Sequence, residues 1–225
     1  MKKILVIAAH PDDEVLGCGG TIAKLIKQGH KVRIMILGEG ITSRGKEGEA
    51  DKQKKAIEEL KKQSERASKI LGVKEVIFSD FPDNKFDTIP LLTIIKYIEL
   101  IAQKIRPDII FTHYEKDLNI DHRITLTAVL TALRPVKGNT VKEIYSFEIP
   151  SSTEWSFPLS FSPDTFFVIK NTIDLKLKAL KEYKGELRLF PHPRSLKSVK
   201  LISQQRGTIV GLKFAEAFKT VRIIK

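Results

Sequence analysis

The segment His10-Pro11-Asp12-Asp13-Glu14 follows directly on the apolar run Ile4-Leu5-Val6-Ile7-Ala8-Ala9. A histidine and a carboxylate three residues apart, across a strand-to-helix turn, can converge on one cation, and Pro11 stiffens the turn between them. His122 stands at the expected start of a later helix and offers a third ligand. Two nitrogens and one carboxylate oxygen suit zinc, one ion per chain, with a fourth position left for water; another divalent metal is the alternative. Asp12 is then a base beside the ligand pair, placed to take a proton from water. The three acids also read as ordinary helix-start residues favoured by the helix dipole. Their place after a buried strand and next to a histidine favours the metal reading.

These residues need elements to hold them. Apolar, β-branched runs predict strands over about 3–9, 31–37, 73–79 and 108–112, and further strands over 142–148 and 165–169. Helical spacing predicts helices over about 15–28, 49–71, 88–105 and 123–133, then shorter ones near 173–184, 196–206 and 211–218. A glycine-rich loop spans 38–48. Strands alternating with helices imply parallel pairing through right-handed crossovers, hence a Rossmann-like, doubly wound α/β sheet with helices on both faces. The expected organisation is one domain, with residues 1–135 as the core and 136–225 as an extension completing the site. Ligands of such sheets sit beyond the carboxyl ends of the strands. Polar residues collect there: His10–Glu14, Arg44, Asp83-Asn84, His113 and Asp121-His122. Arg44, Asp83 and Asn84 are the candidate substrate contacts, Arg44 being suited to a phosphate or to sugar hydroxyls.

Composition narrows the classes. The 225 residues carry a formal net charge of +12, with 42% hydrophobic and 29% charged residues. That is a globular composition. Lysines and glutamates interleave along the chain, as over 46–69, without aromatic-laced basic runs, so a nucleic-acid partner is not expected. The apolar runs are too short to span a bilayer, and no cleavable leader is read at the N-terminus. A single cysteine, Cys18, excludes an internal disulfide and fits a cytoplasmic setting. Gly17-Cys18-Gly19-Gly20 lacks the spacing of a dinucleotide fingerprint.

The sequence Ala9–Glu14 matches in full the first signature of the PIG-L/LmbE-type zinc N-deacetylases, which this chain resembles. Val15–Gly20, Thr42-Ser43-Arg44, Phe81–Asn84, Asp121-His122, Ser151–Trp155 and Pro191-His192-Pro193-Arg194 extend the resemblance over nearly the whole length. It implies His10, Asp13 and His122 as zinc ligands, Asp12 as base, and Asp121 as an orienting neighbour. It implies an N-acetylglucosamine-type substrate and a homo-oligomer, trimer or hexamer. One position departs from the pattern: Asn119 stands where many members carry a histidine that holds the oxyanion. A side-chain amide can donate to an oxyanion but cannot shuttle a proton. His113 and His192 are the other candidates for that duty, with His192 favoured as acid to the leaving amine. The rival readings are a metal-dependent amidase on another acyl amide, and a basic binding module with a vestigial metal site.

Overall fold

The computed structural model describes residues 1–44 and 50–225. Part of the expected glycine-rich loop and the expected start of the second helix lie outside the described residues. Seven strands are described: β1 (Lys3–Ala8), β2 (Lys31–Gly38), β3 (Val76–Phe81), β4 (Ile109–His113), β5 (Glu143–Phe147), β6 (Thr165–Val168) and β7 (Ala215–Ile223). They form one sheet in the order β3-β2-β1-β4-β5-β7-β6. β1 to β5 are mutually parallel, and β7 runs antiparallel between β5 and β6. Helices α1 (Asp13–Lys27), α2 (Ala50–Leu71), α3 (Leu91–Ile105), α4 (Ile120–Ala132), α5 (Ile173–Leu180) and α6 (Leu196–Thr208) cover both faces. This is the α/β, Rossmann-like architecture expected from the strand–helix alternation.

β1 shows why the run is continuously apolar. Ile4, Val6 and Ala8 face the core built with α1, α2, α5 and α6, whereas Leu5, Ile7 and Ala9 face the one built with α3 and α4. A strand buried on both faces has no polar alternation. Burying each such aliphatic side chain stabilises the fold by about 1.5–3 kcal/mol relative to exposure. The chain winds from β1 to β2 and β3 on one side, and through β4 to β5 on the other. The crevice at which the winding reverses therefore opens beyond the ends of β1 and β4.

The small residues of α1 let it lie close to the sheet: a Cβ on Gly17 would collide with the Phe147 ring of β5. Among the differences from the expected elements, two have a clear physical cause. Residues 211–218 do not form a helix, since Ala215–Ile223 is strand β7. Its Ala-Glu-Ala-Phe start has helical propensity, but backbone pairing to β5 and β6 on both sides overrides it. Helix α4 begins three residues earlier than expected, because Asn119 caps it, its side chain accepting from the Asp121 N–H at 2.8 Å. His122 thereby falls inside the first turn.

Candidate metal-binding active site

The turn after β1 is pinned from three sides. The Ala9 carbonyl accepts the Gly38 N–H of β2 at 2.7 Å. The Ala9 N–H donates to His113 Nε2, at the end of β4, at 2.8 Å. The His10 N–H donates to Asp13 Oδ2 at 2.9 Å. A Cβ at Gly38 would stand 2.9 Å from the Ala9 carbonyl, so glycine is what allows this approach. Asp12 adopts a left-handed backbone, φ 99°, unusual for a residue with a side chain. Its N–H is held by Glu14 Oε2 at 3.1 Å, while Glu14 Oε1 accepts the Tyr183 hydroxyl.

Three side chains converge here. His10 Nδ1 lies 3.5 Å and His122 Nε2 3.2 Å from Asp13 Oδ2. One ligand atom from each of His10, Asp13 and His122 lies within 4.8 Å of the others. The remaining nitrogens are held from behind. His10 Nε2 is 2.9 Å from Asp121 Oδ2 and 3.2 Å from Asp83 Oδ1, and His122 Nδ1 is 3.0 Å from Asp117 Oδ1. A carboxylate behind each histidine raises its basicity, as in metal sites, and the Asp121 hydrogen bond also fixes the His10 ring. Asp13 Oδ1 and both ring nitrogens of His122 are buried without a hydrogen-bond partner, the nearby Asp13 and Asp117 oxygens facing those nitrogens as charges only. Buried polar atoms are otherwise almost always paired. Two imidazole nitrogens and a carboxylate, with two such atoms among them, form a donor set that fits a divalent metal of the zinc type.

The electrostatics point the same way. Burial works against charging His10, yet Asp121, Asp13 and Asp83 outweigh it and raise its pKa to about 10. His122 is likewise desolvated and is nonetheless raised to about 9 by Asp13 and Asp117. Burial tends to raise the Asp13 carboxyl, but His122, His10 and His113 pull it well below the usual range. The carboxylates therefore demand positive charge. His113 behaves oppositely: fully buried and stacked on His122 with ring centroids 4.0 Å apart, it is pushed well below the ordinary histidine value by desolvation. Burial holds Asp12 well above the usual carboxylate range, partly offset by Arg194, and lifts Glu14 to about 7.

The other sequence candidates fall into distinct places. Asp121 is completely buried, bridging His10 and the Phe86 N–H, the latter at 3.0 Å. Asp83 is buried against His10 and also accepts the Ser43 hydroxyl. Asn84 is exposed and accepts from Asn119 Nδ2 at 2.8 Å. Arg44, with its side chain 49% exposed, pairs with Glu186 through contacts of 2.5 and 3.0 Å. His192 is half-buried, accepts the Arg194 N–H at Nδ1, and stands edge-on to Trp155. The contact from its loop to the Asp12 carboxylate is made by Arg194, with Nη1 3.2 Å from Asp12 Oδ2.

Sequence reasoning missed Asp117, Glu186 and the part played by Glu14. Asp117 accepts Thr153 Oγ1 at 2.5 Å and the Ser152 hydroxyl as well, tying the His122 support to a segment far along the chain. A single acid in a loop five residues before His122 carries no local signal of this kind. The Glu14–Tyr183 contact spans 169 residues and is equally silent in sequence.

The profile of the PIG-L family, GlcNAc-PI de-N-acetylase, matches residues 5–133, which include His10, Asp13 and His122. The chain belongs to the PIG-L family. It is 32% identical over 190 residues to the uncharacterised deacetylase YaiS of Escherichia coli, covering 82% of this chain and 91% of that protein. It is 28% identical to the diacetylchitobiose deacetylase of Thermococcus kodakarensis, covering 98% of this chain and 84% of that one. The solved structure of the 4-carboxy-2-hydroxymuconate hydratase of Pseudomonas putida shares the fold, with TM-score 0.78 and 22% identity, over 100% of this chain and 99% of that chain. This PIG-L member is thus an enzyme of a deacetylase family, whose hydrolases act on carbon–nitrogen bonds outside peptides. Among the described residues, no helix is long and apolar enough to cross a membrane.

Proposed function

We propose that the chain is a zinc-dependent N-deacetylase that hydrolyses the acetamide of an N-acetylglucosamine-type sugar, alone or in a conjugate, to acetate and a free amine. The observation that carries this reading is the buried His10–Asp13–His122 donor set with Asp12 in the turn between two of its members. His10, Asp13 and His122 would hold the zinc, which when bound supplies Lewis acidity toward water and the acetyl carbonyl. Asp121 and Asp117 orient the two imidazoles, and His113, with no exposed surface, holds the Ala9–His10 backbone and does not itself meet substrate.

Asp12 takes the proton of the attacking water. Asn119 gives one amide hydrogen to Asn84 and keeps the second for the developing oxyanion. His192 presents the nitrogen not engaged with its own loop and protonates the leaving amine at the rim of the crevice. Arg44 and Asn84, both reaching solvent, would meet the sugar hydroxyls. The diacetylchitobiose deacetylase relative supports the substrate class; the cytoplasmic setting and the homo-oligomer rest on the sequence reading alone. A hydratase shares the fold, so the fold alone does not choose the reaction. The test is a panel of N-acetylated sugars and sugar conjugates, scored for free amine and acetate. Stoichiometric release of both supports the proposal, whereas hydration of an unsaturated acid without amide cleavage would overturn it.

A further inference from the structure

Asp12 is poorly defined by its own segment. Its left-handed backbone lies outside the frame that would set a helical rotamer, and its N–H is spent on Glu14. What meets its carboxylate comes from 182 residues away: Arg194 Nη1, 3.2 Å from Oδ2. That guanidinium is itself fixed at two further points. Nε donates to Ser151 Oγ at 2.7 Å, and Nη1 stands 3.4 Å from Glu186 Oε2. Glu186 is 5% exposed and is also anchored by Arg44, which donates to Oε1 and shares Oε2 with Arg194. The Arg194 side chain is only 22% exposed, so this is not a solvent-screened surface pair. A planar guanidinium held at two edges imposes a direction as well as a charge.

We infer that Arg194 is a positioning residue for Asp12, with Glu186 and Ser151 holding the guanidinium in place. The inference rests on the deacetylase reading for the duty of Asp12, but the placement of the carboxylate can be examined separately. Arg194 donates its side-chain hydrogen bonds to Asp12, Ser151 and Glu186 and reaches the ligand residue Asp13 only through its charge, so its removal acts first on the base, and metal content checks the ligand set.

The experiment compares wild type with Arg194→Ala, Arg194→Lys and Glu186→Gln, measuring kcat and KM on an N-acetylated sugar, metal content, and the crystal structure of each. Arg194→Ala is expected to lower kcat about 10–100-fold, the usual range for a group supporting an active residue, with KM within about twofold and metal unchanged. Added guanidinium should restore part of the lost rate. Arg194→Lys should recover less than guanidinium does, since it returns the charge without the fork, and Glu186→Gln should lower kcat less than Arg194→Ala. In the Arg194→Ala crystal the Asp12 carboxylate should turn away from its wild-type orientation. An unmoved Asp12 carboxylate, or an unchanged kcat with the sugar turned over normally, overturns the inference. Absence of turnover by wild type on any N-acetylated sugar counts against the deacetylase reading, while the Asp12 orientation still decides the present one.

Discussion

Two buried polar clusters lie close to helix α1, and they are built on opposite rules. Behind the helix, Lys176 pairs with Glu216 at 2.5 Å, and both side chains are 4% exposed. There the Lys176 ammonium also donates to the Leu16 carbonyl at 2.8 Å, while Glu216 accepts the Gly20 and Thr21 N–H groups at 3.0 and 2.6 Å. One charge meets one charge, and both Glu216 oxygens are used. At the mouth of the helix, four buried carboxylates, Asp13, Asp83, Asp117 and Asp121, surround His10, His113 and His122, and Asp13 Oδ1 and His122 Nε2 have no hydrogen-bond partner. A balanced, saturated cluster holds the fold together; an unbalanced one with spare donor atoms is built to receive something.

The contrast can be broken by single substitutions. Asp12→Asn should lose about 10²–10⁴-fold in kcat while keeping metal and stability, since an amide cannot accept a proton. Steady-state kinetics beside metal analysis checks this, and near-normal turnover with metal retained would remove Asp12 from the chemistry. Lys176→Met should do the reverse. Stranding the Glu216 charge in the core costs about 3–5 kcal/mol, visible in urea unfolding, with the activity per folded molecule preserved.

Asp117 lies on the border between the two behaviours. Burial opposes its ionisation, but His122, Ser152 and Thr153 hold its pKa near about 2, against an ordinary value of 3.8. A depressed carboxylate stabilises the native state above its unfolded pKa and loses that contribution as pH falls through the native one. Asp117→Asn should therefore cost about 2 kcal/mol at neutral pH, with the deficit shrinking between about pH 4 and pH 2. It should also weaken metal affinity about 10–100-fold, because the His122 ring loses its support. A pH series of unfolding curves, with metal titration at pH 7, tests both; a deficit constant down to pH 2 would contradict the pairing. The smallest effect on stability is expected for Asn119→Ala. Removing the α4 cap should cost about 1 kcal/mol in denaturant unfolding, while loss of the amide hydrogen proposed for the oxyanion should lower kcat about 10²–10³-fold; an unchanged kcat would leave Asn119 with the cap alone.

The N-terminal half of this picture was legible in sequence because its geometry is local. His10, Asp12 and Asp13 share one turn after a strand that announces itself by five consecutive aliphatic residues, and His122 was expected at the start of a helix that in fact begins before it, at Ile120. That the sheet is mostly parallel followed from the strand–helix alternation; its strand order did not. The C-terminal half was not legible in the same way. The start of β7, residues 215–218, was expected as helix because its strand partners β5 and β6 lie far back along the chain. Asn119 drew notice as a departure in the site when its clearest contact is as a helix cap. In the Pro191–Arg194 segment the histidine drew the attention, whereas the arginine makes the contact to Asp12. Each of these depends on a pairing across many residues, which spacing along the chain does not encode.

The most direct test of the central claim is metal stoichiometry on protein purified without added metal and then titrated with zinc, in wild type and in His122→Ala. The account predicts one tightly bound zinc per chain in wild type, a rise in Tm on zinc addition, and loss of both in the variant while Lys176→Met keeps the metal. Full zinc occupancy in His122→Ala, or no zinc binding by wild type, would contradict it.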